Sequence, residues 1–131
     1  MKRDEIVFLE DILLEIEKIE QSTKKLDNTS FGKNVDIKDA TFRRIEVIGE
    51  AVKNISVKIK KKYPEVEWKK IAGIRDVLIH AYFGILDSII WNVVKKDIPI
   101  LKKLLRLSEV ESQADDLLSA RWVSISDFEF T

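Results

Sequence analysis

The stretch that decides the fold runs Gly73-Ile74-Arg75-Asp76-Val77-Leu78-Ile79-His80-Ala81-Tyr82-Phe83-Gly84. It contains the only histidine of the chain, with Arg75 five residues before it and Tyr82 two residues after it. These polar side chains lie in a mostly apolar segment, and the segments on both sides of it have the periodicity of helices. We therefore expect this stretch to hold the functional residues and the other helices to support it.

Length and composition bound the class of protein. A chain of 131 residues, 45% of them hydrophobic, suffices for one domain with its own core. Its 23 basic and 23 acidic residues cancel, so any contact with nucleic acid would require a local basic surface. The absence of cysteine excludes disulfides and thiolate metal sites. The charged N-terminus and the lack of a long apolar run predict a cytoplasmic protein without a membrane span.

The first apolar pattern predicts a helix from residue 4 to about residue 24, with Asp4 as its N-cap. Its apolar positions are Ile6, Leu9, Ile12, Leu13, Ile16 and Ile19. Residues 26–36 are rich in Asn, Asp, Ser and Gly, so we expect a connection there. Asp36 is the expected cap of the second helix.

The second pattern predicts one long helix over residues 37–62. Its buried stripe consists of Ile37, Thr41, Ile45, Ile48, Val52, Ile55 and Ile59. Gly49 lies inside this helix, where glycine costs about 1 kcal/mol relative to alanine. We therefore expect another helix to pack closely against Gly49. Lys60 to Lys62, followed by Tyr63 and Pro64, should end the helix.

The last two patterns predict helices over residues 67–81 and from Asp87 or Ser88 to about Leu105. The third helix should bury Trp68, Ile71, Ile74, Leu78 and Ala81, with Val77 alongside. The fourth should bury Ile90, Val94, Ile98, Leu101 and Leu105. Because Pro99 cannot donate a helix hydrogen bond, we expect a kink or break near Asp97.

Four helices predict an all-α domain over residues 1–107, followed by a C-terminal extension over residues 108–131. In this extension Ser108–Ser119 suits a short acidic helix. Val123, Ile125, Phe128 and Phe130 alternate as in a strand. Pairing with a second subunit or another protein, an extended segment and disorder all stay open for it.

Lysines concentrate around the turn between the second and third helices. They are Lys53, Lys58, Lys60, Lys61, Lys62, Lys69 and Lys70, against only Glu65 and Glu67. A solvated face is the simpler interpretation of such a charge run. The alternative is a phosphate-binding patch beside the reactive stretch, with Lys62, Lys69 and Lys70 as its candidate contacts.

The reactive stretch has a definite geometry on a helix. Asp76 and His80, at i and i+4, share a face and are able to touch. Arg75 and His80 differ by about 140° and about 7.5 Å along the axis, so both reach one pocket from adjacent faces. Tyr82 lies at or beyond the helix end. A lone histidine at such a place is often only structural, which is the competing interpretation.

Other chemistries fit the sequence less well. One histidine, no cysteine and no H-E-x-x-H spacing argue against zinc, so neither a metal nor another cofactor is expected. No G-x-S-x-G elbow, Walker loop or G-x-G-x-x-G is present. What remains is acid/base chemistry on a phosphodiester, with a cation holding the phosphate.

The arrangement Arg75-x4-His80-x-Tyr82 resembles the R-x4-H-x-Y signature of the HepT-like toxins in the HEPN superfamily. The rest of the resemblance, over roughly residues 1–107, lies in Arg44, Ile48-Gly49-Glu50-Ala51, Trp68, Gly73-Ile74-Arg75, Trp91 and Asp97-Ile98-Pro99. Asp76 stands where that superfamily commonly has asparagine.

The resemblance implies an antiparallel four-helix HEPN-type bundle that forms a homodimer and acts as a metal-independent endoribonuclease toxin on RNA. Its partner would be a minimal nucleotidyltransferase (MNT) antitoxin in a type II or type VII-like toxin–antitoxin pair, with a larger heteromer as a further option. The antitoxin would silence the toxin by transferring AMP to Tyr82.

The resemblance also suggests roles for the residues. Attack by a 2′-hydroxyl needs a base, an acid and a cation for the developing charge. One chain has one histidine, so a two-fold dimer that joins the two third helices would supply two histidines and two arginines. His80 would then be the base or acid, Arg75 would bind the phosphate, and Asp76 would orient His80.

Two other classes of function compete with this one. The chain would serve as a non-catalytic nucleotide- or partner-binding subunit of a nucleotidyltransferase complex, with Arg75 and His80 holding a nucleotide. Alternatively, it would be a helical dimerisation module in which these residues are structural.

Overall fold

The computed structural model describes residues 3–81 and 83–107, and every element in this part of the chain is helical. In chain order these are α1 (Arg3–Thr23), α2 (Asn28–Lys33), α3 (Val35–Val52), α4 (Val57–Lys62), α5 (Trp68–Ala72), α6 (Ile74–His80), α7 (Phe83–Asn92), a π-helical turn (Val93–Asp97) and α8 (residues 98–107). No strand occurs among these residues, so the all-α prediction is confirmed. The predicted extension, residues 108–131, lies outside the described residues. None of the described helices is long and apolar enough to cross a membrane.

Helix α3 lies at the centre of the bundle. It packs along α1 and also contacts α2, α5, α6 and α7. One continuous apolar core joins these helices; its most deeply buried residues are Leu9, Ile12, Ile16, Ile19, Phe31, Ile45, Ile48, Ile74, Ile90, Ile98, Leu101 and Leu105. Most of the predicted stripes are therefore confirmed, although Ile6, Ile37 and Ala81 are only partly buried.

The N-cap predicted for the first helix is wrong, because Arg3 is already helical and Asp4 lies in the first turn of α1. There the aspartate still favours the helix, since its negative charge meets the positive end of the helix dipole.

The connection predicted for residues 26–36 contains a helix, α2. Asp27 and Ser30 form a capping box: the Asp27 carboxylate accepts the Ser30 N–H at 2.7 Å, and the Ser30 hydroxyl accepts the Asp27 N–H at 2.9 Å. The Ser30 N–H also holds the pKa of the Asp27 carboxyl below its usual value of 3.8. Phe31 anchors the helix in the core, with its ring 5.0 Å from the ring of Trp91. A composition rich in turn residues concealed this helix.

Helix α3 is capped two residues earlier than predicted. The Asn34 side chain accepts the Ile37 N–H at 3.1 Å, so Asn34 is the N-cap and Asp36 lies in the first turn. Asp36 has the right chemistry for a cap, but Asn34 has the extended backbone that a cap requires.

The long second helix is wrong in one respect, because it divides into α3 and α4. Ser56 begins α4 by accepting the Ile59 N–H at 3.3 Å, and the Glu5 carboxylate accepts the Ser56 N–H at 2.9 Å. Ile55 and Ile59 remain buried on either side of the cap. The apolar periodicity therefore continues through the division, which explains why the sequence predicted a single helix.

The third helix also divides, at Gly73, into α5 and α6. The contact predicted for Gly49 is confirmed at the same place: a Cβ on Gly49 would lie 2.8 Å from the Ile71 carbonyl oxygen. Helix α5 thus approaches α3 so closely that only glycine fits at position 49. This contact fixes where α6 begins.

The fourth helix starts at Phe83, several residues before the predicted caps. Asp87 is not a cap; its carboxylate instead accepts a hydrogen bond from Lys38 Nζ at 3.2 Å. Near Pro99 the helix forms the π-helical turn, in which the Ile98 N–H donates to the Val93 carbonyl. The predicted irregularity near Asp97 is therefore a widened turn, and the helix continues through it.

Candidate active site

Helix α6 presents Arg75, Asp76 and His80 to solvent. Ile74 and Leu78 are buried and anchor the helix in the core, so the faces that carry the three polar residues point outwards. The helix ends at His80 because Ala81 has an extended backbone (φ −84°, ψ 144°). Tyr82 lies outside the described residues. Of the four predicted site residues, the structure thus shows three, all on one helix of seven residues.

Arg75 is held on one side by an acid that the sequence did not indicate. Its Nε lies 3.6 Å from Oε2 of Glu46, on the central helix α3. The Arg75 side chain is 59% exposed, whereas that of Glu46 is only 18% exposed. A fixed acid on one edge of a guanidinium restrains its orientation while its other donors face solvent. Nothing in the local pattern separates Glu46 from the other acids of α3, because the contact is tertiary.

Asp76 and His80 do not meet as predicted. They share a helix face, but within the described part of the chain no hydrogen bond or ion pair joins them, and both are exposed. The physical reason is that an exposed pair gains at most about 1 kcal/mol, which does not offset the ordering of two side chains. The structure gives Asp76 no contact through which it would orient His80.

Two apolar side chains are exposed between these polar residues. Val77 is 47% exposed and Ile79 is 58% exposed, so the prediction that Val77 lies along the buried face is wrong. Ile79 is four residues after Arg75 and therefore shares its face, which is a signal that the sequence already contained. Helix α6 thus exposes an apolar pair together with its charged groups.

The three lysines predicted as phosphate contacts differ from one another. Lys70 donates to Asp97 at 2.7 Å and lies 3.5 Å from Glu67. Asp97 belongs to the π-helical turn and its side chain is only 4% exposed. The hydrogen bond to Asp97 raises the pKa of Lys70 above its usual value of 10.5. Lys70 therefore has a structural partner, which the sequence did not indicate.

The other two lysines lie nearer the surface. Lys69 is exposed, and the Lys62 ammonium lies 5.7 Å from the centre of the Tyr63 ring. Among the described residues, no group of three metal-ligating side chains comes together. Any acid/base chemistry at α6 would have to come from the side chains already described.

These features define a class of protein: a small all-α bundle that exposes an arginine and its single histidine on one short helix. The family model described as "Ribonuclease HepT-like" matches residues 12–107. The chain belongs to this family, which confirms the resemblance inferred from the sequence.

Known relatives agree with this assignment. The chain is 42% identical over 102 residues to the "Putative RNase MJ1380" of Methanocaldococcus jannaschii, a match that covers 78% of this chain and 94% of that protein. It is 44% identical over 102 residues to the "Probable ribonuclease HepT" of Thermococcus cleftensis, covering 78% of this chain and 93% of that protein. The "Gamma-glutamylcyclotransferase and putative RNase MJ0434" of M. jannaschii is 44% identical over 110 residues, or 83% of this chain, but this match spans only 50% of that longer protein. No solved structure matches the chain.

Proposed function

We propose that this protein is a metal-independent endoribonuclease toxin that cleaves RNA at a site formed by Arg75 and His80. The observation that carries the proposal is the exposure of both residues on α6, in a chain of the HepT-like ribonuclease family. Neither residue is needed to fill the core, so an interpretation of both as merely structural has no packing to support it.

The proposed reaction uses the chain's own side chains. A base removes the proton from the RNA 2′-hydroxyl, whose oxygen attacks the adjacent phosphorus. The bond to the 5′-oxygen breaks, and an acid gives that oxygen a proton. The products are a 2′,3′-cyclic phosphate and a free 5′-hydroxyl. Arg75 stabilises the charge that develops on the phosphoryl oxygens, and His80 moves one of the two protons.

The proposed reaction needs two proton carriers, and each chain has one histidine. A homodimer that pairs α6 with its copy across a two-fold axis supplies two histidines and two arginines to one cleft. The exposed Val77 and Ile79 support this pairing, because they offer apolar surface beside the reactive residues.

We further propose that the partner is an MNT-type nucleotidyltransferase antitoxin, which silences the toxin by transferring AMP to Tyr82. The pair would be a toxin–antitoxin system of type II or type VII-like organisation. Tyr82 follows His80 by two residues, so an added AMP would bring a bulky anion next to the proposed phosphate site. The measurement is the mass of the peptide that contains Tyr82 after co-expression with such an enzyme.

The direct test compares RNA cleavage by the wild-type protein and His80→Ala, each with and without a metal chelator. We expect wild-type cleavage that the chelator leaves unchanged, and a loss on the order of 10²- to 10⁴-fold in the variant. Equal activity in both proteins would refute the mechanism. Binding of a nucleotide without any RNA cleavage would instead favour the alternative, a nucleotide- or partner-binding subunit of a nucleotidyltransferase complex.

A further inference from the structure

An open cleft lies beside the proposed active site, outside the residues assigned to it. Its volume is about 530 Å³, and its lining comes from α4, from α5 and from the segment between them. The lining residues are Lys60, Lys61, Val66, Glu67, Trp68, Lys69 and Lys70. This volume is within the range of about 300–1,000 Å³ that is typical of ligand pockets.

The cleft carries positive charge that the surrounding chain does not neutralise. Within the described residues, Lys60, Lys61 and Lys69 have neither an ion pair nor a side-chain hydrogen bond. Glu67 is the single acid of the lining, and its carboxylate lies 3.5 Å from Lys70, which is also bound to Asp97. Three ammonium groups are left over in a chain whose formal net charge is zero.

The other surfaces of the cleft are apolar and rigid. Val66 and Trp68 are both buried, so they form the floor of the cleft. The Trp68 indole N–H already donates to the Tyr63 carbonyl at 2.9 Å, which fixes the ring and leaves it without a donor for a base edge. An apolar floor with a lysine rim suits a sugar–phosphate chain, because lysine binds phosphate as a point charge without reading sequence.

The cleft is within reach of an RNA strand held at Arg75. Lys69 precedes Arg75 by six residues, so their Cα atoms are at most about 22 Å apart. A strand whose scissile phosphate lies at Arg75 would therefore arrive at the cleft a few nucleotides away.

We propose that this cleft is a second anion site, which binds the sugar–phosphate backbone of RNA away from the bond that is cleaved. The inference rests on the proposed ribonuclease function and adds to it a site for binding without catalysis. Lys60, Lys61 and Lys69 supply the phosphate contacts, whereas Lys70 only supports the wall.

The test measures the affinity of a labelled single-stranded RNA as a function of salt concentration, in the His80→Ala background so that cleavage does not interfere. Lys60→Gln/Lys61→Gln/Lys69→Gln is compared with a control of equal charge change, Lys24→Gln/Lys25→Gln/Lys33→Gln, at exposed lysines outside the cleft. Each lost phosphate contact lowers the salt slope by about 0.7. We expect the cleft variant to lose about 2 units of slope and roughly tenfold affinity at low salt, and the control to change little.

Equal slopes and affinities in the two triple variants would overturn the proposal. If the triple cleft variant fails to fold, Lys61→Gln and Lys69→Gln alone should each lower the slope by about 0.7, and no change in either overturns it. Failure of the ribonuclease function is distinguishable, because RNA binding that depends on the cleft lysines would persist in a protein that never cleaves. In an active protein, the triple variant should lose cleavage of long RNA but not of a dinucleotide, which is too short to reach the cleft. Equal losses on both substrates overturn the proposal.

Discussion

Helices α5 and α6 are separated only by Gly73, yet their cations have opposite environments. On α5, Lys70 donates to an aspartate that is 4% exposed, and the pair joins this helix to the π-helical turn. On α6, Arg75 is 59% exposed and touches a single acid at 3.6 Å. The role of a cation in this region is therefore decided by the burial of its partner. The α5 pair should govern stability, and the α6 group should govern function.

The largest effect should come from the apolar pair on α6. In the double variant Val77→Glu/Ile79→Glu, like charges meet across the proposed two-fold axis, so the dimer should dissociate. RNA cleavage should fall on the order of 10³-fold, because each monomer then lacks a proton carrier and a cation. Mass by light scattering and RNA cleavage are measured together. The matched control is Val35→Glu/Val57→Glu, at valines that are 60% and 65% exposed on other helices. A monomeric double variant that still cleaves RNA would contradict the shared site.

The next effect concerns Arg75. Arg75→Ala should lower kcat/KM for RNA by about 10²- to 10³-fold, since the developing charge on the phosphoryl group loses its donor. The free energy of unfolding should change by less than about 0.5 kcal/mol, because the side chain is exposed. Arg43→Ala, at an exposed arginine of α3, is the control and should retain activity. A stability loss in Arg75→Ala that matches its activity loss would favour the structural interpretation instead.

On α5 the expectation is reversed. Lys70→Met leaves the buried Asp97 carboxylate without its cation, which should lower the free energy of unfolding by about 2–3 kcal/mol. Denaturant titration measures this loss, and the specific activity of the folded fraction should persist. Lys69→Met, one residue earlier and exposed, should be nearly neutral in stability. If the two variants were equally stable, the assignment of Lys70 to the scaffold would be wrong.

The same contrast explains how much the sequence could predict. Apolar periodicity located the core because burial follows it even where a helix divides, as at Ile55 and Ile59 around the Ser56 cap. It could not show the division itself, since a cap is a local polar event within an unbroken apolar stripe. The penalty of an interior glycine correctly indicated the close contact at Gly49, because that argument concerns the backbone directly.

The candidate site was only partly predictable for a related reason. The helix spacing placed Arg75, Asp76 and His80 correctly on one element, but spacing says nothing about tertiary partners. The Glu46 contact with Arg75 and the burial of Asp97 both come from other helices. The expected contact of Asp76 with His80 did not form, because proximity on an exposed face is too weak a reason for two side chains to pair.

A smaller effect should separate Glu46 from a purely structural acid. Glu46→Gln keeps the shape of the side chain but loses the charge beside Arg75, so we expect kcat to fall roughly three- to tenfold with KM little changed. Glu46→Asp should restore part of the loss. In the Arg75→Ala background, Glu46→Gln should have no further effect, because the residue acts through Arg75. Additive losses in the double variant would show that Glu46 acts elsewhere.

The smallest effect is a pH dependence that also belongs to α5. Because Asp97 raises the pKa of Lys70 in the folded protein, the folded state holds this proton more tightly than the unfolded state. The resulting stabilisation is fully present below the unfolded pKa of 10.5 and is lost as the pH rises through the folded value. The loss should be less than about 1 kcal/mol, since the lysine is partly exposed and its neutral amine still donates to Asp97. Denaturant midpoints between neutral and strongly alkaline pH measure it, and Lys70→Met should show a shallower decline than the wild type. Parallel declines in the two proteins would mean that the pair stabilises the fold through the shape of its hydrogen bond, with no contribution from its charge.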